Sequence, residues 1–147
     1  KKGSKVTMIG QTSGTVFLDQ NPVSGKSSYY AKAIKGSLTG KEGSAKKITL
    51  PKATTKVTAK AKTDKTVVLS WKKVKGATGY LVYRSTKKNG SYQRIAVLKK
   101  GTKCTYTDKK GLKKGMKYHY RIVTVKKKTY SPAKTTKAVK IKAAKKK

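Results

Sequence analysis

Acidic residues are almost missing from this chain of 147 residues. Its four carboxylates belong to Asp19, Glu42, Asp64 and Asp108, whereas Lys and Arg number 40 and leave a formal net charge of +36. Catalysis by general acid and base needs two titratable groups within reach of one substrate. Asp19 and Asp108 are instead expected at turns, where Asp bonds nearby backbone amides, and Glu42 and Asp64 in polar loops. We therefore interpret the segment as non-enzymatic.

Thiols and imidazoles are equally scarce. Cys104 is the only cysteine, which excludes an intrachain disulfide and a cysteine-based metal site, and we expect it to be a small buried hydrophobic residue. His119 is the only histidine and cannot form a metal site without other donors; it is expected to be an exposed strand residue. Neither a glycine-rich phosphate loop nor a Gly-x-Ser-x-Gly elbow is present. No cofactor or metal is predicted.

Long apolar runs and targeting patterns are absent from the sequence as given. No stretch reaches the eighteen or so apolar residues of a membrane span, so none is predicted. The sequence begins Lys-Lys-Gly-Ser, without a signal peptide or an initiator Met. This beginning is what we expect of a fragment of a longer polypeptide.

Arginine is rare although basic residues are abundant. Arg84, Arg94 and Arg121 are the three arginines among 40 basic residues. Lysine lacks the planar fork that reads bases or phosphates in a bidentate manner, so the charge favours diffuse, salt-sensitive attraction to polyanions over nucleic-acid recognition. The alternative interpretation is a solvated coat that resists aggregation.

An internal repeat indicates how the chain is organised. Three residue pairs share one offset of 89: Asp19 with Asp108, Val23 with Leu112, and Tyr29 with Tyr118. A period near ninety residues suits a small domain rather than a solenoid unit. About fifty residues of strand-like sequence precede the motif in the second copy, against only sixteen in the first. We predict the C-terminal half of one module at residues 1–51, a complete module at 52–143 and a basic tail at 144–147.

The chain is predicted to be all-β, because β-branched and aromatic residues alternate with Lys and Thr throughout. Seven strands are predicted in the complete module: Val57–Ala61, Thr66–Trp71, Tyr80–Arg84, Tyr92–Leu98, Lys103–Asp108, Lys117–Val125 and Ala138–Lys142. Four are predicted in the half module: Lys5–Ile9, Thr15–Asp19, Ser28–Ile34 and Ala45–Leu50. The half module lacks its partner strands, so we expect an upstream segment of the same protein, or another copy, to supply them.

Particular residues are assigned to the core and to one turn. Asn89-Gly90 lies between two strands and suits the positive dihedrals of a tight hairpin turn. Trp71 is the largest core anchor available, and alternation places further residues inward. The predicted structural core comprises Trp71, Tyr80, Leu112, Tyr118, Tyr120 and Ile122.

The stretch from Leu112 to Ile122 resembles the E–F corner and F strand of fibronectin type III domains. Leu69-Ser70-Trp71 is similar to the B strand of that family, and residues 79–85 look like its C strand. The resemblance implies a seven-stranded antiparallel immunoglobulin-like β-sandwich. It also implies a tyrosine corner, in which the phenol of Tyr118, and of Tyr29 in the first copy, bonds the chain just upstream.

The lysine-rich sequence resembles the modules of secreted, multimodular proteins of Gram-positive bacteria. This resemblance implies an extracellular or cell-surface spacer or accessory module, with weak electrostatic attachment to anionic wall polymers or glycans. Two alternatives stay open: a carbohydrate-binding module that uses exposed tyrosines, and a non-specific nucleic-acid or polyanion binder. We favour tyrosines that fill the sandwich. The Arg-Gly-Asp triplet of some animal members is missing.

Overall fold

The computed structural model describes residues 6–14, 16, 19 and 22–141. The regular secondary structure of these residues consists of β-strands. Four strands lie in the N-terminal part: β1 Gly25–Tyr29, β2 Lys32–Lys35, β3 Leu38–Glu42 and β4 Lys46–Leu50. The remainder follow from residue 58: β5 Thr58–Thr63, β6 Thr66–Ser70, β7 Gly79–Ser85, β8 Gln93–Leu98, β9 Thr105–Asp108, β10 Lys117–Lys126, β11 Thr129–Tyr130, β12 Lys134–Thr135 and β13 Val139–Lys140.

Two antiparallel sheets form the region from residue 58 onward. One has the order β5-β6-β9, and the other places β10 between β7 and the last segments, with β8 at the far edge. The segments β11, β12 and β13 pair in turn with β10, from Lys126 down to Lys117. If these segments are counted as one interrupted strand, the described part of this region has three strands in one sheet and four in the other.

The core lies between these sheets and follows the alternation of the strands. Val67 and Leu69 point inward from β6, and Tyr120 and Ile122 from β10. Trp71 is buried and contacts the Tyr80 ring edge-on, with a centroid distance of 5.3 Å. Burying a side chain of the size of Leu69 or Ile122 stabilises the fold by about 1.5–3 kcal/mol. Tyr118 is also buried in this core, whereas Leu112 is only half-buried and packs against it.

The N-terminal strands β1 to β4 form one long hairpin. β1 pairs with β4 from Gly25 opposite Leu50, and β2 pairs with β3. The amide of Gly43 donates to the carbonyl of Ala31 at 2.9 Å and joins the two ladders. The chain reverses at Gly36, whose φ of 60° favours glycine.

Several predicted boundaries in this N-terminal part were wrong. The predicted strand Ser28–Ile34 is two strands, because the ladder is interrupted at Tyr30 and Ala31 and its register shifts between Lys32 and Ile34. Leu38–Glu42 was not predicted, since its Lys and Gly interrupt the apolar alternation.

The two predicted strands that precede this hairpin are not seen in the described residues. Residues 6–9 are irregular, as are Val16 and Asp19. Lys5, Thr15, Phe17 and Leu18 lie outside the described residues.

The Asn89-Gly90 turn is also not the predicted tight hairpin. β7 ends at Ser85 and β8 begins at Gln93, so residues 86–92 connect them. The amide of Gly90 donates to the carbonyl of Lys87 at 3.3 Å, and neither Asn89 nor Gly90 has a positive φ. The longer connection accommodates a turn of ordinary handedness, which removes the need for the positive dihedrals of a two-residue loop.

Candidate functional site

A buried carboxylate links the two sheets. Asp108, at the end of β9, is only 1% exposed. Its Oδ2 accepts from Arg84 Nη1 on β7 at 2.8 Å and from the Tyr120 hydroxyl on β10 at 2.9 Å, and its Oδ1 accepts from the Lys110 amide at 3.3 Å. Arg84 Nη1 also donates to the Lys110 carbonyl at 2.6 Å. The predicted turn role of Asp108 is therefore one part of a larger network.

The groups of this network suit a structural role and not proton transfer. Burial raises the pKa of Tyr120 far above its ordinary value, and the adjacent Asp108 carboxylate raises it further. Burial, followed by the charge of Asp108, likewise raises the pKa of Tyr106. Both phenols therefore stay protonated at neutral pH. The oxygens of Asp108 already accept three hydrogen bonds, which suits a structural role better than that of a general base.

The other three carboxylates are also engaged. Glu42 pairs with Lys32 at 3.0 Å, and Asp64 pairs with Lys114 at 3.2 Å. Asp19 Oδ2 accepts from the Tyr29 hydroxyl at 2.9 Å, and this hydrogen bond is the leading cause of the raised pKa of Tyr29. Glu42 lies in β3, and its predicted position in a loop was wrong. Within residues 6–14, 16, 19 and 22–141, no three His, Cys, Asp or Glu side chains are grouped as a metal site would require.

The phenol of Tyr118 bonds the chain just upstream, as the resemblance implies. Its oxygen accepts from the backbone amide of Lys113 at 3.0 Å, at the corner that leads into β10. Tyr29 was expected to hold the same role, and the hydrogen bond seen for its hydroxyl among the described residues is donated to the Asp19 carboxylate, a side-chain group and not backbone. In the complete module the phenol that bonds the corresponding aspartate is Tyr120, so the repeat offset does not carry the roles of the tyrosines across.

Cys104 and His119 are both half-buried. Cys104 was predicted to be buried and His119 to be exposed, so both predictions were wrong. The Cys104 sulfur lies 4.0 Å from the Tyr80 hydroxyl at the edge of the core. His119 stands opposite Ser85 in the ladder between β10 and β7, and its Nδ1 is buried without a hydrogen-bond partner. Alternation within one strand gives the side on which a residue lies and not how far its neighbours bury it.

All nine tyrosines lie among the described residues, so their exposure is known. Tyr80, Tyr118 and Tyr120 are buried, and Tyr130 is the one classed as exposed, at 53%. The remaining five are half-buried, and Trp71 is buried. A glycan-stacking platform needs several exposed aromatic faces in a row, which these side chains do not offer.

The lysines have a uniform position. Every lysine in the described part of the chain is exposed. Because the four carboxylates neutralise so few of them, the positive charge is spread widely over the described surface and is not confined to one groove. Such a surface attracts polyanions over a screening length of about 8 Å at physiological salt.

Comparison with known proteins identifies the sandwich. The family model described as the fibronectin type III domain matches residues 51–139, more than half of the chain. The chain belongs to the fibronectin type III domain family. This membership confirms the resemblance to fibronectin type III domains and the all-β sandwich class that the sequence predicted.

The relatives of this fibronectin type III chain include modules of bacterial proteins. An amylopullulanase of Thermoanaerobacterium saccharolyticum is 40% identical over 78 residues, which are 53% of this chain and 6% of that protein. The chain thus spans a small part of that relative. The crystal structure of an Fn3-like protein from Clostridium thermocellum, 26% identical, aligns with a TM-score of 0.55 over 67% of this chain and all of that one. A two-domain fibronectin type III segment of chicken tenascin, at 19% identity, covers 78% of this chain and 64% of its own length with a TM-score of 0.54, and shows the fold alone.

The comparisons are consistent with an accessory module, related to bacterial proteins of several modules. Fibronectin type III domains are generally non-catalytic. No helix in the described ranges has the length and apolar character to cross a membrane.

Proposed function

We propose that this chain is a non-catalytic accessory segment of a larger secreted or cell-surface bacterial protein. It spaces a catalytic or adhesive domain from an anionic surface and adds weak electrostatic attachment to wall polymers or acidic glycans. The observation that carries the proposal is the exposure of every described lysine around a compact sandwich. The relation to a module of an amylopullulanase, a bacterial enzyme, supports the accessory role.

The lysine surface favours diffuse attachment over a discrete site. Lysine ammonium groups are hydrated point charges that hold an anion without fixing its orientation. The half-buried guanidinium of Arg84 is already bonded to Asp108 and to the Lys110 carbonyl. Attachment should therefore depend on the number of charges and on salt, and little on where the charges are.

The test compares two variants with equal charge. One replaces Lys126, Lys127 and Lys128 with Gln at one end of the four-stranded sheet, and the other replaces Lys109, Lys110 and Lys113 with Gln at the opposite end. Binding to purified teichoic acid and to a neutral polysaccharide is measured from low to high NaCl. We expect equal weakening in both variants, steep loss with salt and no binding to the neutral polymer. A loss confined to one variant, or retention at high salt, contradicts diffuse attachment.

A carbohydrate-binding role depends on Tyr130, the exposed tyrosine. Replacing Tyr130 with Ala removes the ring and leaves the charge unchanged. If the neutral polysaccharide binds the wild-type chain and not this variant, the carbohydrate-binding module is the better description. We expect no difference between the two proteins.

We also propose that the N-terminal hairpin packs in the parent protein against strands that an upstream segment supplies. Apolar side chains stand open on it, including Leu38 at 73% exposure, whereas β10 in the complete module buries every second residue. Hydrogen exchange of the hairpin amides should be fast in the 147-residue chain and slow in the full-length parent protein. Equal protection in a monomeric 147-residue chain contradicts this completion, and concentration-dependent protection indicates exchange between copies.

A further inference from the structure

The centre of the four-stranded sheet is free of lysine. β7 and β8 contain none, and β10 has lysines only at its ends, Lys117 and Lys126. About one residue in four of the whole chain is lysine, because the 40 basic residues include three arginines. The outer face of the other sheet differs, since Lys60 and Lys62 are exposed on β5. The middle of one sheet face therefore carries no lysine, and the pair Lys117 and Lys140 lies at one end of the same sheet.

Two cross-strand rows make up this lysine-free face. In the first, Leu81 pairs with Val97 on one side and with Val123 on the other. Leu81 is 8% exposed at the centre of the row and Val97 is 51% exposed at its edge. In a strand, residues two apart lie on the same face about 6.8 Å from each other, so the second row begins one pleat away.

The second row consists of Arg94, Tyr83 and Arg121, in that order across β8, β7 and β10. Two of the three arginines of the chain therefore flank one tyrosine. The Arg121 guanidinium stacks 3.9 Å from the centroid of the Tyr92 ring, and its Nε donates to Thr135 Oγ1 at 3.3 Å. A guanidinium held in this way loses little conformational freedom when it meets a carboxylate.

The second row has the composition of the centre of a protein interface, and the first row adds aliphatic surface beside it. The centres of interfaces are enriched in aromatic residues and Arg and depleted of Lys, and their dominant contacts are often Tyr and Arg. We propose that this face docks an acidic protein surface, with aliphatic side chains over the first row and carboxylates over the second. We call it the arginine–valine face and define it by Leu81, Tyr83, Arg94, Val97, Arg121 and Val123.

Charge decides the kind of partner. Lysines flank the face at both ends of its strands. Lys99, Lys100 and Lys126–Lys128 lie at or beyond one end, and Lys87, Lys88 and Lys117 at or beyond the other. A second copy docked face to face would bring two such rims together, and opposed like charges cost several kcal/mol. An acidic partner gains from the same rim. A nucleic acid has no aliphatic surface to cover Leu81 and its neighbours, and nothing suggests it at this face.

A designed peptide provides a defined probe. Arg94 and Arg121 lie two strand spacings apart, about 9.6 Å, close to the separation of helix positions i and i+7, about 10.5 Å. The probe is a helical peptide with Glu at i and i+7 and Leu at i+3 and i+4. A control peptide has the same composition with the Leu residues on the opposite side of the helix. Binding to the 147-residue chain is followed by amide chemical shifts at about 0.3 M NaCl, where diffuse attraction is screened.

Matched variants separate the face from general charge. Val97→Lys places a lysine on the face, and Val68→Lys places one on the outer side of the other sheet, where Val68 lies between Lys60 and Thr107. We expect Val97→Lys to weaken probe binding at least about tenfold and Val68→Lys to change it less than about twofold. Arg94→Lys keeps the charge and should weaken binding by several fold. Thermal unfolding of each variant establishes that it is folded.

The outcomes decide the proposal in either direction. Shifts clustered on the outer residues of β7, β8 and β10, weak binding of the control peptide and a selective effect of Val97→Lys support it. Equal binding of both peptides, shifts spread over the lysine loops, or no binding of the probe by the folded chain overturns it. The wall-polymer proposal is tested separately, because we expect teichoic-acid binding to be lost at the salt concentration used here.

Discussion

Arg84 and Asp108 form a hydrogen-bonded ion pair between the two sheets, with Arg84 Nη1 lying 2.8 Å from Asp108 Oδ2. The arginine belongs to β7 in the four-stranded sheet and the aspartate to β9 in the three-stranded sheet. Their side chains are 18% and 2% exposed, so water screens the pair weakly. The Tyr120 hydroxyl and the Lys110 amide complete the coordination of the carboxylate. The pair therefore sets how the sheets meet at this end of the sandwich.

Asp108→Asn should destabilise the domain by about 3–5 kcal/mol, because it leaves the Arg84 guanidinium largely buried without a counter-charge. Urea denaturation of the variant and the wild type measures the difference. Asp64→Asn is the matched control, since it removes the half-buried partner of the exposed Lys114 and should cost less than about 1 kcal/mol. Equal losses in the two variants would show that the buried pair contributes no more than a surface pair.

The core residues of β6 and β10 were predictable from alternation. Thr66–Trp71 and Lys117–Val125 alternate clearly, and the structure buries the residues that this alternation turns inward, from Val67 to Ile122. The hairpin at residues 25–50 was predicted less well. Its strands bury few side chains, so their sequence carries little alternation from which to read their limits.

The ion pair was not predicted, although a signal for it exists. Arg84 has the same parity as Tyr80 and Val82 on β7, which points it inward, and an inward arginine needs a carboxylate. With four acids in the chain, Asp108 is one of few candidates. Which one lies opposite depends on the register of the two sheets, and spacing along one strand does not supply it.

Tyr118→Phe should lower the free energy of unfolding by about 0.5–1.5 kcal/mol. The change removes the oxygen that accepts from the Lys113 amide and retains the ring beneath the Arg84 guanidinium, 5.4 Å from its centroid. Thermal denaturation of the 147-residue chain, followed by the unfolding of its sandwich at residues 52–141, measures this difference in stability. Tyr29→Phe is the control, because it alters a hydroxyl in the hairpin and should leave the melting of the sandwich unchanged. A neutral Tyr118→Phe would assign the corner to packing of the ring alone.

Gly101→Ala should destabilise the sandwich by about 1–3 kcal/mol or more. A methyl group at this position would overlap the carbonyl of Ala77. That carbonyl belongs to the backbone, so it cannot move aside as the end of a flexible side chain could. Gly43→Ala is the comparison, because its nearest neighbour, the Ala31 carbonyl oxygen, is 3.5 Å from the added carbon, an ordinary contact. Circular dichroism melts should separate the two variants by several degrees. Similar melts would mean that the loop from residue 99 to 104 relaxes at little cost.

Tyr120→Phe tests the buried phenol through pH. The pKa of Tyr120 is raised in the folded state by burial and then by Asp108, so above pH 10 the unfolded chain loses the phenolic proton while the folded chain keeps it. The unfolded state then binds fewer protons, and stability falls with rising pH by at most about 1.4 kcal/mol per pH unit for this group. Near pH 7 the variant should be less stable by about 1–2 kcal/mol through the lost hydrogen bond. As the pH rises from 10 to 11.5 the difference between the proteins should shrink, and the comparison cancels the titration of the lysines common to both. A difference that stays constant over this range would show that the phenol ionises as readily in the folded chain as in the unfolded one.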